Sequence, residues 1–161
     1  MMQRVTILCV GKLKERFYAD ACAEYQKRLS RFCELSVVEL PEERLPDDPS
    51  PAQISAALER EAARIEQRLP RGGAVIALCV EGHELSSEAL SETLSRFGGQ
   101  GVSQLTFLIG GSFGLSARIK NAAALRLSMS PMTFPHHLAR VMLLEQIYRA
   151  YQIQSGTKYH K

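Results

Sequence analysis

Short apolar runs alternate along the chain with stretches in which apolar residues recur every three or four positions. Val5 to Gly11 (VTILCVG) is an apolar run rich in β-branched residues and reads as a strand. From Glu15 to Phe32, the residues Phe17, Ala21, Tyr25, Leu29 and Phe32 fall near helical spacing and predict an amphipathic helix. Leu35 to Leu40 (LSVVEL) returns to strand character. The segment from Pro41 to Pro51 holds four prolines and many charges and is read as a surface loop. Ile54, Leu58, Ala62, Ile65 and Leu69 then mark a second helix, closed by Pro70 and a turn at Gly72-Gly73.

The second half repeats the alternation. Ala74 to Val80 (AVIALCV) is a continuous apolar run, as expected of a strand covered on both faces. After a turn at Glu81-Gly82, Ser86 can cap a helix carrying Leu90, Leu94 and Phe97, with Glu88 in its first turn. A glycine-rich loop leads into another apolar strand ending at Gly110-Gly111, followed by a short helix after Ser116. Leu125 to Ser130 (LRLSMS) alternates as a strand. A long helix from about His136 to Ile153 carries Val141, Leu144, Tyr148 and Tyr151 on one stripe, widened by Leu138, Met142 and Ile153. Strands alternating with helices predict an α/β architecture with a mostly parallel sheet. A chain of 161 residues is the size of one domain, spanning 1–161.

Composition narrows the classes. No apolar run reaches the roughly 18 residues of a membrane span, and the first apolar stretch is soon followed by Lys12, Lys14 and Arg16, unlike a signal peptide. A cytoplasmic protein without a membrane partner is expected. Cys9, Cys22, Cys33 and Cys79 show no C-x-x-C spacing and read as reduced, packed thiols, with no metal site expected. The net charge of +3 is unevenly spread: residues 1–100 hold 13 basic and 16 acidic side chains, whereas residues 101–161 hold seven basic ones and a single acid, Glu145. Such a gradient suits a surface that collects phosphates, and it equally suits a solvated face.

Candidate chemistry gathers at three strand ends: Glu81-Gly82, Gly110-Gly111 and the segment SPMTFPH after Ser128. In a parallel sheet these ends share one edge, where a small ligand can lie. Backbone amides, a glycine floor and apolar walls from Leu78, Met129 and Met132 suit an adenine-bearing molecule with a charged tail; a simple tight turn beside core methionines is the plainer reading. Neither G-x-G-x-x-G nor G-x-x-x-x-G-K-[ST] occurs, and the glycine pair follows a late strand, which disfavours a dinucleotide oxidoreductase. Arg140 and Arg149 on the last helix read as solvated cations, with Glu145 pairing with one of them. His136 starts that helix. The ending KYHK would ordinarily fray, yet Tyr159 and His160 offer a stacking face and a group that titrates near neutrality.

The strings FLIGGSFGLS and LSMSPMTFPHHLARVMLLEQIYRAYQI, with the ending YHK, resemble the bacterial large-subunit (23S) ribosomal RNA pseudouridine N3-methyltransferases of the SPOUT class. The resemblance runs the full length, is most specific in the second half, and does not extend its specificity to the Pro-rich loop or the helix after it. It implies a C-terminal trefoil knot, a homodimer, and S-adenosylmethionine held by Leu78, Gly110, Met129, Ser130, Pro131, Met132, Thr133 and Phe134. The implied substrate is a pseudouridine in a stem-loop of the large-subunit RNA near the decoding centre, in assembled ribosomes, with Arg149, Tyr159 and His160 as catalytic candidates. A SPOUT enzyme with another RNA acceptor, or a ribosome-associated RNA-binding protein without turnover, are the alternatives.

Overall fold

The structure, a computed structural model, describes residues 2–161. Its framework is a five-stranded parallel sheet in the order β2-β1-β4-β3-β5, formed by β1 (Gln3–Val10), β2 (Cys33–Leu40), β3 (Ala74–Glu84), β4 (Gln104–Ile109) and β5 (Leu125–Ser128). The helices are α1 (Arg16–Leu29), α2 (Pro51–Arg68), α3 (Ser87–Gly99), α4 (Ala117–Ala122) and α5 (His136–Gln154). The parallel α/β expectation therefore holds, and each predicted element is present.

The sheet is covered on both sides. One face of the central strands (Val5, Ile7, Cys9, Ile76, Leu105, Phe107) packs with Cys22 and Leu29 of α1, Leu90 and Leu94 of α3, and Leu143, Leu144 and Ile147 of α5. The alternate residues Leu8, Val10, Ala77 and Leu108 pack with Ala62 and Ile65 of α2 and Ile119 of α4. This two-sided burial is why β1 and β4 read as unbroken apolar runs. Cys9, Cys22 and Cys33 are buried free thiols, and burial pushes Cys9 up to about 12 and Cys33 to about 11.

Serines start three of the helices as capping rules anticipate. Ser50 accepts a hydrogen bond from Gln53 N while the Gln53 side chain accepts from Ser50 N, a reciprocal capping box; Ser86 and Ser116 accept from Ala89 N and Ile119 N.

Four expectations are corrected. Glu81-Gly82 does not end β3: the strand continues to Glu84. Its pairing with β5 jumps from Leu78↔Leu127 to His83↔Leu127, so Cys79 to Gly82 bulge out against a single partner residue. A Cβ on Gly82 would lie 2.8 Å from the Arg126 carbonyl, so only glycine allows the two backbones this approach. Phe17, placed in the core stripe by its spacing, is 66% exposed, because the face that α1 buries is the one carrying Cys22 and Leu29. On α5 the fully covered side is Arg140, Leu143, Leu144, Ile147, Ala150 and Tyr151, whereas Val141 and Tyr148 are half-buried. Apolar and polar residues are mixed around the whole helix, so spacing alone could not choose the face.

Arg140, expected in solvent, is the most consequential of these shifts. Its side chain is 3% exposed, donating to Glu39 Oε2 at 2.7 Å and to the Gly11 carbonyl at 3.2 Å. It ties the start of α5 to the ends of β1 and β2. Glu39→Ala would leave a buried guanidinium with only the carbonyl as partner. The expected loss is about 2–3 kcal/mol in urea unfolding, below the ~3–5 kcal/mol of a fully enclosed pair because Glu39 is a third exposed. A loss under about 0.5 kcal/mol would show that the pair contributes nothing.

Candidate functional site

The carboxyl ends of β3, β4 and β5 and the start of α5 enclose a cavity of about 780 Å³. This is where an open parallel sheet presents ligand-binding loops. The bulge of β3 supplies Leu78, Cys79, Val80 and Glu81; the glycine loop supplies Gly110 to Leu115; and the segment before α5 supplies Met129, Ser130, Met132, Thr133 and Phe134. Of the eight residues implied for a cofactor, seven therefore meet around one space. Pro131 lies in the same loop, is exposed, and is not part of the wall.

The glycine loop is folded by necessity. A Cβ on Gly110 would collide with the backbone carbonyl of Gly114, which closes the loop through Gly114 N donating to Gly111 O at 3.0 Å. Ser112 N donates to Glu42 Oε1 at 2.7 Å, so the Pro-rich loop braces the glycine loop from 70 residues away. Glu43 beside it is paired with Arg60 and Arg64 of α2, which hold its carboxyl below the usual range. No local pattern in the sequence signals Glu42, because its partner is a backbone amide. In the loop before α5, Ser130 Oγ accepts from Met132 N at 2.9 Å and its carbonyl accepts from Ser128 Oγ at 3.1 Å. Leu78, Ile109, Leu127 and Met129 give the cavity apolar walls, and Lys120 crosses its edge to Glu81 at 2.5 Å. His136 and His137 close the side toward α1, and burial lowers the pKa of His136.

Arg149, Tyr159 and His160 also come together, but elsewhere. The terminal residues fold back on α5 rather than fraying. Tyr159 Oη donates to Glu145 Oε2 at 3.0 Å, its ring meets Tyr148 edge-on at 4.9 Å, and the Arg149 guanidinium carbon lies 4.7 Å from its centroid. Arg149 Nε donates to Glu145 Oε1 at 2.7 Å, which confirms the expected pairing of the lone C-terminal acid. His160 is held between Arg149 Nη1 at 3.2 Å and Glu88 Oε1 at 2.6 Å. A hydrogen on Nε2 satisfies both contacts, with Nδ1 accepting from arginine. Burial, then the bond to Glu145, raises the Tyr159 pKa and keeps its phenol protonated.

None of these three side chains touches the cavity. Thirteen residues of helix separate Arg149 from His136 at its wall, roughly 20 Å along the axis. A single chain thus carries a ligand cavity at one end of α5 and a cationic, aromatic cluster at the other.

A parallel α/β sheet with a glycine loop and a cavity over its strand ends is an arrangement suited to a small ligand. Residues 2–160 match the family described as predicted SPOUT methyltransferases, and the chain belongs to that family. It is 48% identical over 158 residues to a protein of Streptococcus equi subsp. zooepidemicus (strain MGCS10565) named ribosomal RNA large subunit methyltransferase H, covering 98% of this chain and 99% of that one. A protein of the same name from Streptococcus pyogenes serotype M12 (strain MGAS2096) is 47% identical with the same coverage. Among solved structures, a probable methylase family protein from Haemophilus influenzae Rd KW20 superposes with a TM-score of 0.54 at 11% identity, over 99% of this chain and 69% of that one; it shares the fold. Among the described residues no helix is long and apolar enough to cross a membrane, and no cluster of side chains has a metal-binding arrangement.

Proposed function

We propose that the protein transfers a methyl group from S-adenosylmethionine to N3 of a pseudouridine in large-subunit ribosomal RNA, acting on assembled ribosomes as a homodimer. The family and the printed names of its relatives support the reaction class. The observation that carries the shared site is the separation of roughly 20 Å between the cavity and the Arg149 cluster. Neither end of α5 is a complete site, so a second copy brings its cluster to this cavity.

The cavity fits the methyl donor by its chemistry: apolar walls for adenine, exposed backbone groups of the 129–134 segment, and glycines where backbone must come close. The trefoil knot implied by the family belongs to this reading, with the glycine loop and the 129–134 segment held against each other by threading. S-adenosylmethionine, when bound, supplies a methyl on a positively charged sulfur, which a nucleophile displaces in line without a metal.

The chain's task is to align that nucleophile and to make it reactive. Alignment can supply as much as about 7–11 kcal/mol of the barrier. The N3–H of pseudouridine must lose its proton as the N–C bond forms. Arg149, held charged by Glu145, stabilises the negative charge that develops on the imide. Tyr159, protonated, serves to stack and to donate a hydrogen bond, and His160 can take the departing proton on Nδ1 once Arg149 Nη1 turns from that lone pair to the base.

Labelled methyl transfer from S-adenosylmethionine to bacterial ribosomes lacking the modification tests this directly. One methyl on a pseudouridine of the large-subunit RNA, located by mass spectrometry, is the expected outcome. Label on another RNA would replace the acceptor, and RNA binding that is indifferent to S-adenosylmethionine, with no transfer, would make the protein a binding factor.

A further inference from the structure

The first turn of α1 carries a feature that neither the core nor the methyl-donor cavity uses. Phe17 is one of the most exposed large apolar side chains of the described residues, at 66%. Its ring lies 4.5 Å from that of Tyr18; Tyr18 stacks on His137 at 5.9 Å with planes 16° apart; and His137 sits 3.8 Å from His136. Both histidines line the cavity. Four rings therefore form a continuous ledge from the cavity wall out to solvent.

The ledge is bordered by Lys12, Lys14 and Arg16, all exposed, with Glu15 as the one acid in that run. Arg16 reaches only Asp20, at 3.8 Å on a fully solvated surface, a pairing worth little, and neither lysine takes part in an ion pair among the described residues. The first 100 residues are acidic as a whole, so three exposed cations, two of them outside any ion pair among the described residues, stand out beside exposed rings. Aromatic faces interleaved with cations are the recognition chemistry of unpaired nucleotides, which stack on the rings while phosphates meet the charges.

We propose that Phe17, Tyr18 and His137, with Lys12, Lys14 and Arg16 beside them, form the surface on which an unpaired base of the substrate RNA and its neighbouring phosphates dock. The inference rests on the RNA-methyltransferase reading and extends it from His137 at the cavity wall to residues outside both the cavity and the tail cluster. A nucleotide flanking the target stacks on the ledge, and the target base is thereby presented to the cavity mouth.

The test is methyl transfer to unmodified ribosomes by Phe17→Ala, Phe17→Trp and a Lys12→Ala/Lys14→Ala/Arg16→Ala triple variant, with S-adenosylmethionine affinity by calorimetry and oligomeric state by ultracentrifugation alongside. Phe17→Ala should raise KM for ribosomes about tenfold, Phe17→Trp should restore it, and kcat and cofactor affinity should hold. The triple variant should flatten the dependence of log affinity on log salt by about two. Unchanged KM and salt slope, in protein whose wild type methylates ribosomes, would overturn the ledge and leave the function standing. Dissociation of the Phe17→Ala protein into monomers would overturn it in favour of an interface between copies. Wild-type protein that neither binds nor methylates ribosomes would overturn the functional reading, and the ledge with it.

Discussion

Removing Tyr159 to Lys161 is expected to lower methyl transfer to ribosomes by about 10²–10⁴-fold while leaving S-adenosylmethionine affinity within about twofold. The two readouts should separate because the tail packs on Glu145, Arg149 and Glu88, none of which lines the cavity. Without the tail, Arg149 keeps its bond to Glu145 but loses the ring beneath it and the histidine beside it, so the orientation of its guanidinium is no longer fixed. Arg149→Ala should cost a similar factor, since it removes the cation itself. Arg149→Lys should recover little, because an ammonium cannot reach Glu145 and His160 together as the planar guanidinium does. Steady-state transfer assays and calorimetry on the same preparations check all three. A parallel fall of cofactor affinity and rate in the truncated protein would mean that the tail holds the fold, and full turnover by Arg149→Ala would end its catalytic assignment.

What could be read from the chain without coordinates was set by how local each signal is. Strands β1 and β4 announced themselves because they are buried on both faces, and the serine cap at Ser86 because capping acts within three residues. The continuation of β3 was illegible: Glu81, Gly82 and His83 look like a turn, and only the close passage of β5 past Gly82 makes them strand. Arg140 was misplaced because its partners, Glu39 and Gly11, lie over 100 residues away. Glu42 was invisible for the same reason. The loops of the cavity were found because glycine pairs and strand ends are local marks, whereas its distance from Arg149, Tyr159 and His160 depends on where α5 runs. That distance keeps the two groups of residues apart within one chain.

The sharpest consequence is a complementation between two inactive proteins. Gly110→Val places branched carbon where the Gly114 carbonyl group lies, so the glycine loop must open and the cavity loses its floor. Displacement of about 1 Å at such a loop can cost 10²-fold or more, and loss of measurable S-adenosylmethionine binding is expected while the tail cluster remains intact. The truncated protein has the opposite defect. Homodimers of either variant should be inactive, since every shared site would lack its cavity or its tail. Mixed by co-refolding at equal amounts, half of the dimers pair one variant with the other. In each such dimer one site combines the two damaged parts, and the other combines the sound cavity of the truncated chain with the sound tail of the Gly110→Val chain. The mixture should therefore recover about a quarter of wild-type activity, with calorimetry reporting cofactor binding to about half of the chains. Recovery of that size can arise only if cavity and cluster act across a subunit boundary. A mixture that stays inactive, although ultracentrifugation shows mixed dimers, would mean that each chain completes its own site, and the roughly 20 Å between the ends of α5 would have to close by a large motion within one subunit.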